Sequence, residues 1–167
     1  VVPDNYVKVE FKNGDHGTIL KNQITIYWVN PEKEVDLIEK APLVQANAEY
    51  KHTGWDKPLK AKFTTATDIT AKYLKKVLDK EPTEDADKYV KVDFKAKTHG
   101  KIKDGEKTEY WVLKDETVEI KTPAVEAKTN YAFKEWDPAV QTSYSDNTTH
   151  NAVFVYTGED VVPQPGD

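Results

Sequence analysis

The chain of 167 residues contains no cysteine and no methionine. A disulfide framework, a thiolate metal centre and thiol chemistry are therefore excluded. Arginine is missing as well, so every one of the 24 basic residues is a lysine. The arginine fork is the usual bidentate reader of phosphate and guanine. The lysines are interspersed with 29 acidic residues for a net charge of −5. No basic stripe of the kind that holds a nucleic acid is present, and none is expected as a partner. No apolar run approaches the roughly 18 residues of a membrane-spanning helix, so no membrane insertion is expected. Neither a glycine-rich phosphate loop nor a Ser-His-Asp pattern is visible, so nucleotide and nucleophilic chemistry have no support. The expectation is a protein that is not an enzyme and takes no cofactor.

What the chain does have is self-similarity. Tyr6-Val-Lys-Val-Glu-Phe-Lys12 recurs as Tyr89-Val-Lys-Val-Asp-Phe-Lys95. His16-Gly17 recurs as His99-Gly100, and Tyr27-Trp28-Val29 as Tyr110-Trp111-Val112. These pairs share an offset of 83. The offset then becomes 81: Pro42 matches Pro123, Tyr50 matches Tyr131, and Trp55-Asp56 matches Trp136-Asp137. Matching Tyr73 with Tyr156 returns it to 83. Length changes are accommodated in loops, which places loops between Val29 and Pro42 and between Asp56 and Tyr73. The organisation expected is a first module over 1–73, a linker over 74–88, a second module over 89–156 and a Pro/Gly-rich linker over 157–167. Val161-Val162-Pro163 echoes Val1-Val2-Pro3. Together with a start at Val1 rather than Met, this suggests a piece of a longer array.

Tyr6 to Lys12 alternates, with Val7, Val9 and Phe11 on one face, as a half-buried strand does. Asn13-Gly14-Asp15-His16-Gly17 reads as a turn, and Gln23 to Asn30 as the second strand of a hairpin. The repeat orients that second strand. Ile24 and Ile26 become Lys107 and Glu109, whereas Thr25, Tyr27 and Val29 are kept as Thr108, Tyr110 and Val112. A core position does not accept an unpartnered Lys or Glu, so the Thr/Tyr/Val face points inward. Strict alternation then sends Trp28 and Trp111 outward unless a β-bulge rotates them in. Glu32 to Lys40 suits one short helix, although Val118 and Ile120 in the second copy are spaced more like a strand. Tyr50–Trp55, Asp68–Tyr73, Tyr131–Trp136 and 151–156 supply the last strands.

The residues Gly17, Tyr50, Gly54-Trp55 and Ile69-Thr-Ala-Lys-Tyr73, with Gly100, Tyr131, Trp136 and Ala152 to Tyr156 in the second copy, resemble the B-repeat-like modules of Gram-positive surface proteins. The B-repeat of the listerial internalins is the best-known of these. Glu135 departs from the pattern where glycine is usual. The resemblance implies an α+β, β-dominated chain of two tandem small β-grasp-like modules. It further implies a secreted, cell-wall-anchored stalk or spacer, a monomer contacting neighbouring repeats of its own chain, and no catalytic residues. The anchor would lie in parts of the parent outside this chain.

The candidate residues for binding are aromatic. Trp28 and Trp111, with Tyr6 and Tyr89 on the same side, would form an exposed strip. Such a strip would suit a host glycan or protein, or else would pack against the linker or the neighbouring copy. His16 and His99 read as turn residues rather than metal ligands, because His52 and His150 are not at matched places and no ligand set repeats. Asp56 and Asp137 read as strand-end caps. A Lys–Asn isopeptide bond would need a buried lysine, whereas Lys8 and Lys91 alternate onto the outer face.

Overall fold

The computed structural model describes residues 1–159 and 161–165. The chain separates into two units, Val1–Lys76 and Val77 onward. Of the expected C-terminal linker, Asp160, Gly166 and Asp167 lie outside the described residues.

In the first unit, the alternating segment forms β1 (Val7–Lys12), burying Val9 and Phe11. It is followed by β2 (Gly17–Ile19), β3 (Ile26–Val29), β4 (Glu34–Asp36), β5 (Val44–Ala46), β6 (Tyr50–Trp55), β7 (Lys60–Lys62) and β8 (Thr67–Lys75). The main sheet has the order β3-β1-β8-β6. Its first and last strands, β1 and β8, lie parallel at the centre, with Phe11 beside Ile69. β3 and β6 are antiparallel neighbours on the two sides. The expected hairpin between β1 and β3 forms, but β2 intervenes and pairs with β5 instead. A two-stranded ribbon, β4 with β7, sets Glu34 against Lys62 and Asp36 against Lys60, a charge-complementary cross-strand pattern.

The second unit repeats this plan with β10 (Tyr89–Ala96), β11 (Gly100–Ile102), β12 (Glu109–Leu113), β13 (Val125–Ala127), β14 (Tyr131–Asp137) and β15 (Thr148–Tyr156). It adds β9 (Val77–Leu78), which extends the sheet to the order β14-β15-β10-β12-β9. The segment read as a linker over 74–88 thus gives Leu74 and Lys75 to β8 and Val77 and Leu78 to β9.

The α+β, β-grasp-like expectation is corrected: both units are all-β, and among the described residues the only helical segments are 3-10 turns at Ile38–Lys40 and Ala86–Lys88. The helix expected over 32–40 fails for a visible reason. Val35 and Leu37, two residues apart, pack toward the core, while Ile38 is 58% exposed. That is a strand's period of two, and β4 forms there.

A second correction concerns the end of the repeat. Val9 sits beside Thr67 and Val92 beside Thr148, so Thr67 is equivalent to Thr148 and the offset stays at 81. Tyr73 is therefore the counterpart of Phe154, not of Tyr156, and no residues are inserted after Asp56. The paired bulges agree, falling between His52 and Gly54 in one unit and between Phe133 and Glu135 in the other.

Two close approaches explain the glycine after each matched histidine. A Cβ on Gly17 would lie 2.5 Å from the Tyr73 ring, and one on Gly100 would lie 2.3 Å from the Phe154 ring. Gly17→Ala and Gly100→Ala should each destabilise their own unit by about 1–3 kcal/mol, the usual cost of overpacking. Urea unfolding followed residue by residue by NMR checks this, and an unchanged midpoint for the affected unit would contradict it.

Candidate functional site

The outer face of the first sheet carries the aromatic residue singled out for binding. Trp28 pairs with Lys8, and Ile26 with Glu10, across β3 and β1. No bulge turns Trp28 inward: it is 48% exposed, beside Ile26 at 41% and Ile24 at 64%. Tyr27 and Val29 face the core, as the substitution pattern between the copies requires. The same side of β1 carries a charge ladder in which Glu10 meets Lys8 at 3.4 Å and Lys12 at 3.2 Å. The hydrogen bond from Lys12 leads the influences holding the Glu10 carboxyl below its ordinary value.

The expected strip of four aromatic residues does not exist as such. Trp111 is half-buried, with Leu78 of β9 as its strand partner and the Lys91 ammonium 5.7 Å from its ring centroid. Lys91 also meets Glu109 at 3.1 Å, and that hydrogen bond is the main cause of its raised pKa. Tyr6 is half-buried, and Tyr89 is buried at 8% exposure, which removes it from any outward surface. Tyr89 enters the sheet opposite Leu113, and burial raises its phenol pKa. Trp28, flanked by Ile24 and Ile26, is what remains of the strip. The two isoleucines were visible in the sequence as the positions replaced by Lys107 and Glu109. Read only as marking the solvent side, they were not recognised as an apolar surface.

Each matched histidine lies flat on a tyrosine. His16 stacks on Tyr50 with centroids 3.8 Å apart, and His99 on Tyr131 at 4.1 Å. The His16 carbonyl accepts the Asn47 N–H, and the His99 carbonyl accepts the Lys128 N–H. His99 takes a left-handed backbone at φ 67°, which suits a turn histidine. Both rings thus tie the turn before β2 or β11 to the start of β6 or β14. His52 meets the Gly54 carbonyl at 2.8 Å within the β6 bulge. Asp56 accepts the Thr70 N–H at 2.8 Å, which is the capping role expected of it. Lys8 and Lys91 retain 40% side-chain exposure and pair with glutamates, unlike the buried lysine an isopeptide bond requires.

The sequence reading missed one buried polar pair. His150 is completely buried and Tyr144 is 1% exposed. His150 Nδ1 lies 2.6 Å from the Pro138 carbonyl, which can only accept, so Nδ1 carries the proton. Nε2 is then the acceptor for the Tyr144 hydroxyl at 2.8 Å, and the same hydroxyl oxygen accepts the Gln141 N–H at 3.0 Å. Burial raises the Tyr144 phenol pKa, and the Gln141 N–H partly offsets that. At the corrected offset of 81, Tyr144 and His150 replace Phe63 and Ile69. A histidine and a tyrosine in hydrogen-bond contact resemble catalytic parts, yet here every polar atom is engaged inside a core. The pair was foreshadowed only by a tyrosine and a histidine standing where the first copy is apolar.

Among the described residues, no three acidic or histidine side chains converge to hold a metal ion. No known protein family, curated protein or solved structure matches this chain.

The Tyr144–His150 bond is testable by a double-mutant cycle. Tyr144→Phe and His150→Ile should each cost about 1–3 kcal/mol by stranding a buried polar partner. The double variant, which restores the first unit's apolar solution, should cost less than the sum of the two. Strict additivity in urea titrations would show that the two side chains are not coupled.

Proposed function

We propose that this chain is a structural spacer of a bacterial surface protein: a repeated, non-catalytic module that carries a distal binding domain away from the cell wall. The observation that carries this reading is the building of one small all-β fold twice in succession. In both copies the matched histidine lies flat on a tyrosine of the same fold position. The paired His–Tyr stacks, the bulges and the glycine–ring contacts recur, while on the outer face Ile24 and Ile26 become Lys107 and Glu109. A binding or catalytic site repeated for its chemistry would keep its surface and vary its scaffold. The resemblance to B-repeat-like modules supports the same reading. So does the composition, which is cysteine-free and rich in Lys, Asp, Glu and Thr.

A second reading has one observation in its favour, the exposure of Trp28 beside Ile24 and Ile26. An aromatic residue flanked by aliphatic ones suits the apolar face of a sugar or a host protein.

Two measurements test these readings together. Antibodies against the chain should label intact, unpermeabilised cells of the source organism; label confined to lysed cells contradicts the spacer reading. On glycan and matrix-protein arrays the spacer reading expects no specific binding. Binding that falls at least tenfold with Trp28→Ala, and not with Trp111→Ala, would support the second reading.

A further inference from the structure

The two units differ at one edge of the main sheet. In the second unit β12 is covered on its outer side by β9, with Val77 beside Val112 and Leu78 beside Trp111. Val77 packs against the core cluster that includes Val112, while Leu78 lies beside the outward Trp111. In the first unit the equivalent strand, β3, is the end of the sheet and has no such cover among the described residues. Its side chains record the difference. Trp28 is exposed where Trp111 is half-buried, Tyr27 is half-buried where Tyr110 is at 8%, and Val29 is at 6% where Val112 is at 0%.

The first unit's edge is also the more apolar of the two. Ile24 and Ile26 stand exposed where the second unit has Lys107 and Glu109. Sheet edges in solution are ordinarily protected by charge, proline or a bulge, because an edge with open backbone groups and apolar side chains templates another strand. The second unit has both charge and a covering strand at this edge, whereas β3 has neither.

The chain itself carries a segment of matching chemistry. β8 is followed after one residue by the apolar pair Val77-Leu78; β15 is followed after four by Val161-Val162. These valines are 83% and 69% exposed. The acidic Glu159-Asp160 precedes them and Pro163 follows, so an apolar strand longer than this pair cannot form there.

We propose that the open edge of β3 takes Val161-Val162 of a second copy of this chain as its fifth strand. The register is the one β9 uses, with Val161 beside Val29 and Val162 beside Trp28. The contact is heterologous, tail to edge, so it joins copies head to tail rather than as a symmetric pair. A two-residue strand supplies few hydrogen bonds, so affinity between separate molecules is low. The contact becomes populated near the millimolar local concentrations that a short tether provides. The proposal stands on the two sheet edges alone and does not depend on display at a cell surface.

The test is NMR of the intact chain as its concentration is raised from about 10 µM to about 1 mM. The amides of Ile26 to Val29, the Trp28 indole and the methyls of Val161 and Val162 should shift together, while the β12 edge stays fixed. The variant carrying Val161→Asp and Val162→Asp, at two exposed positions, should lose the shifts when studied alone. Labelled and mixed with unlabelled wild type, the same variant should recover them at β3 only. Absence of any concentration dependence would overturn the proposal. So would shifts at β3 that persist in the tail variant alone, since they would show two β3 edges pairing with each other.

Discussion

Edge-on packing of one phenylalanine against a tryptophan and a tyrosine holds each unit together. Phe11 meets Trp55 at 5.0 Å and Tyr27 at 6.2 Å, both near perpendicular. Phe94 meets Trp136 at 4.9 Å and Tyr110 at 6.4 Å in the same way. Each phenylalanine sits on a central strand, β1 or β10, beside the parallel last strand of its unit. The tyrosine comes from the antiparallel neighbour on one side and the tryptophan from the antiparallel strand on the other. One ring therefore links three strands of the sheet, its own and those of the tyrosine and the tryptophan. In a unit of this size the apolar core is thin, and T-shaped aromatic contacts add to area burial where little area is available. The smaller devices follow from that arrangement. The bulges bring Trp55 and Trp136 to the core face, and the glycines at 17 and 100 let Tyr73 and Phe154 lie close over the turn.

The two copies also show how far such a core can drift. Phe63 and Ile69 on one side, Tyr144 and His150 on the other, occupy equivalent places beside the central phenylalanine. The apolar pair needs only volume. The polar pair needs volume, a fixed histidine tautomer, a carbonyl at Pro138 and an N–H at Gln141. Both solutions leave the buried atoms satisfied, which is the condition for keeping polar groups inside. The outer surfaces are under no such constraint, and there isoleucines in one copy become lysine and glutamate in the other.

Much of this could be read from the sequence because it is written twice. The inward face of β3 and β12 was legible from Ile24 and Ile26 changing to Lys107 and Glu109, and the strand at 6–12 from period-two alternation. The final offset was misread because Tyr73 and Tyr156 are identical letters. The weaker match of Thr67, Ala71 and Tyr73 with Thr148, Ala152 and Phe154 is the structural one. The segment at 32–40 looked helical because three apolar residues lie close together, and only their burial shows that Ile38 does not belong with Val35 and Leu37. Tyr89 was assigned to the surface by extending the alternation of β10 to its first residue, where Tyr89 is instead buried opposite Leu113. The candidate surface shrank accordingly to Trp28 and its isoleucine neighbours. The cover that β9 gives Trp111 corresponds to the alternative of packing against the linker, since Val77 and Leu78 lie within 74–88.

The central claim is that one chain builds the same phenylalanine-centred unit twice, each copy with its own core. Hydrogen exchange read residue by residue on the intact chain carrying Phe11→Ala tests it most directly. Removing a buried phenylalanine costs about 3–5 kcal/mol. Protection should collapse through β1, β3, β6 and β8 while the amides of β10, β12, β14 and β15 keep their wild-type values. Loss of protection across both units together would contradict the claim and would mean that the chain folds around a single shared core.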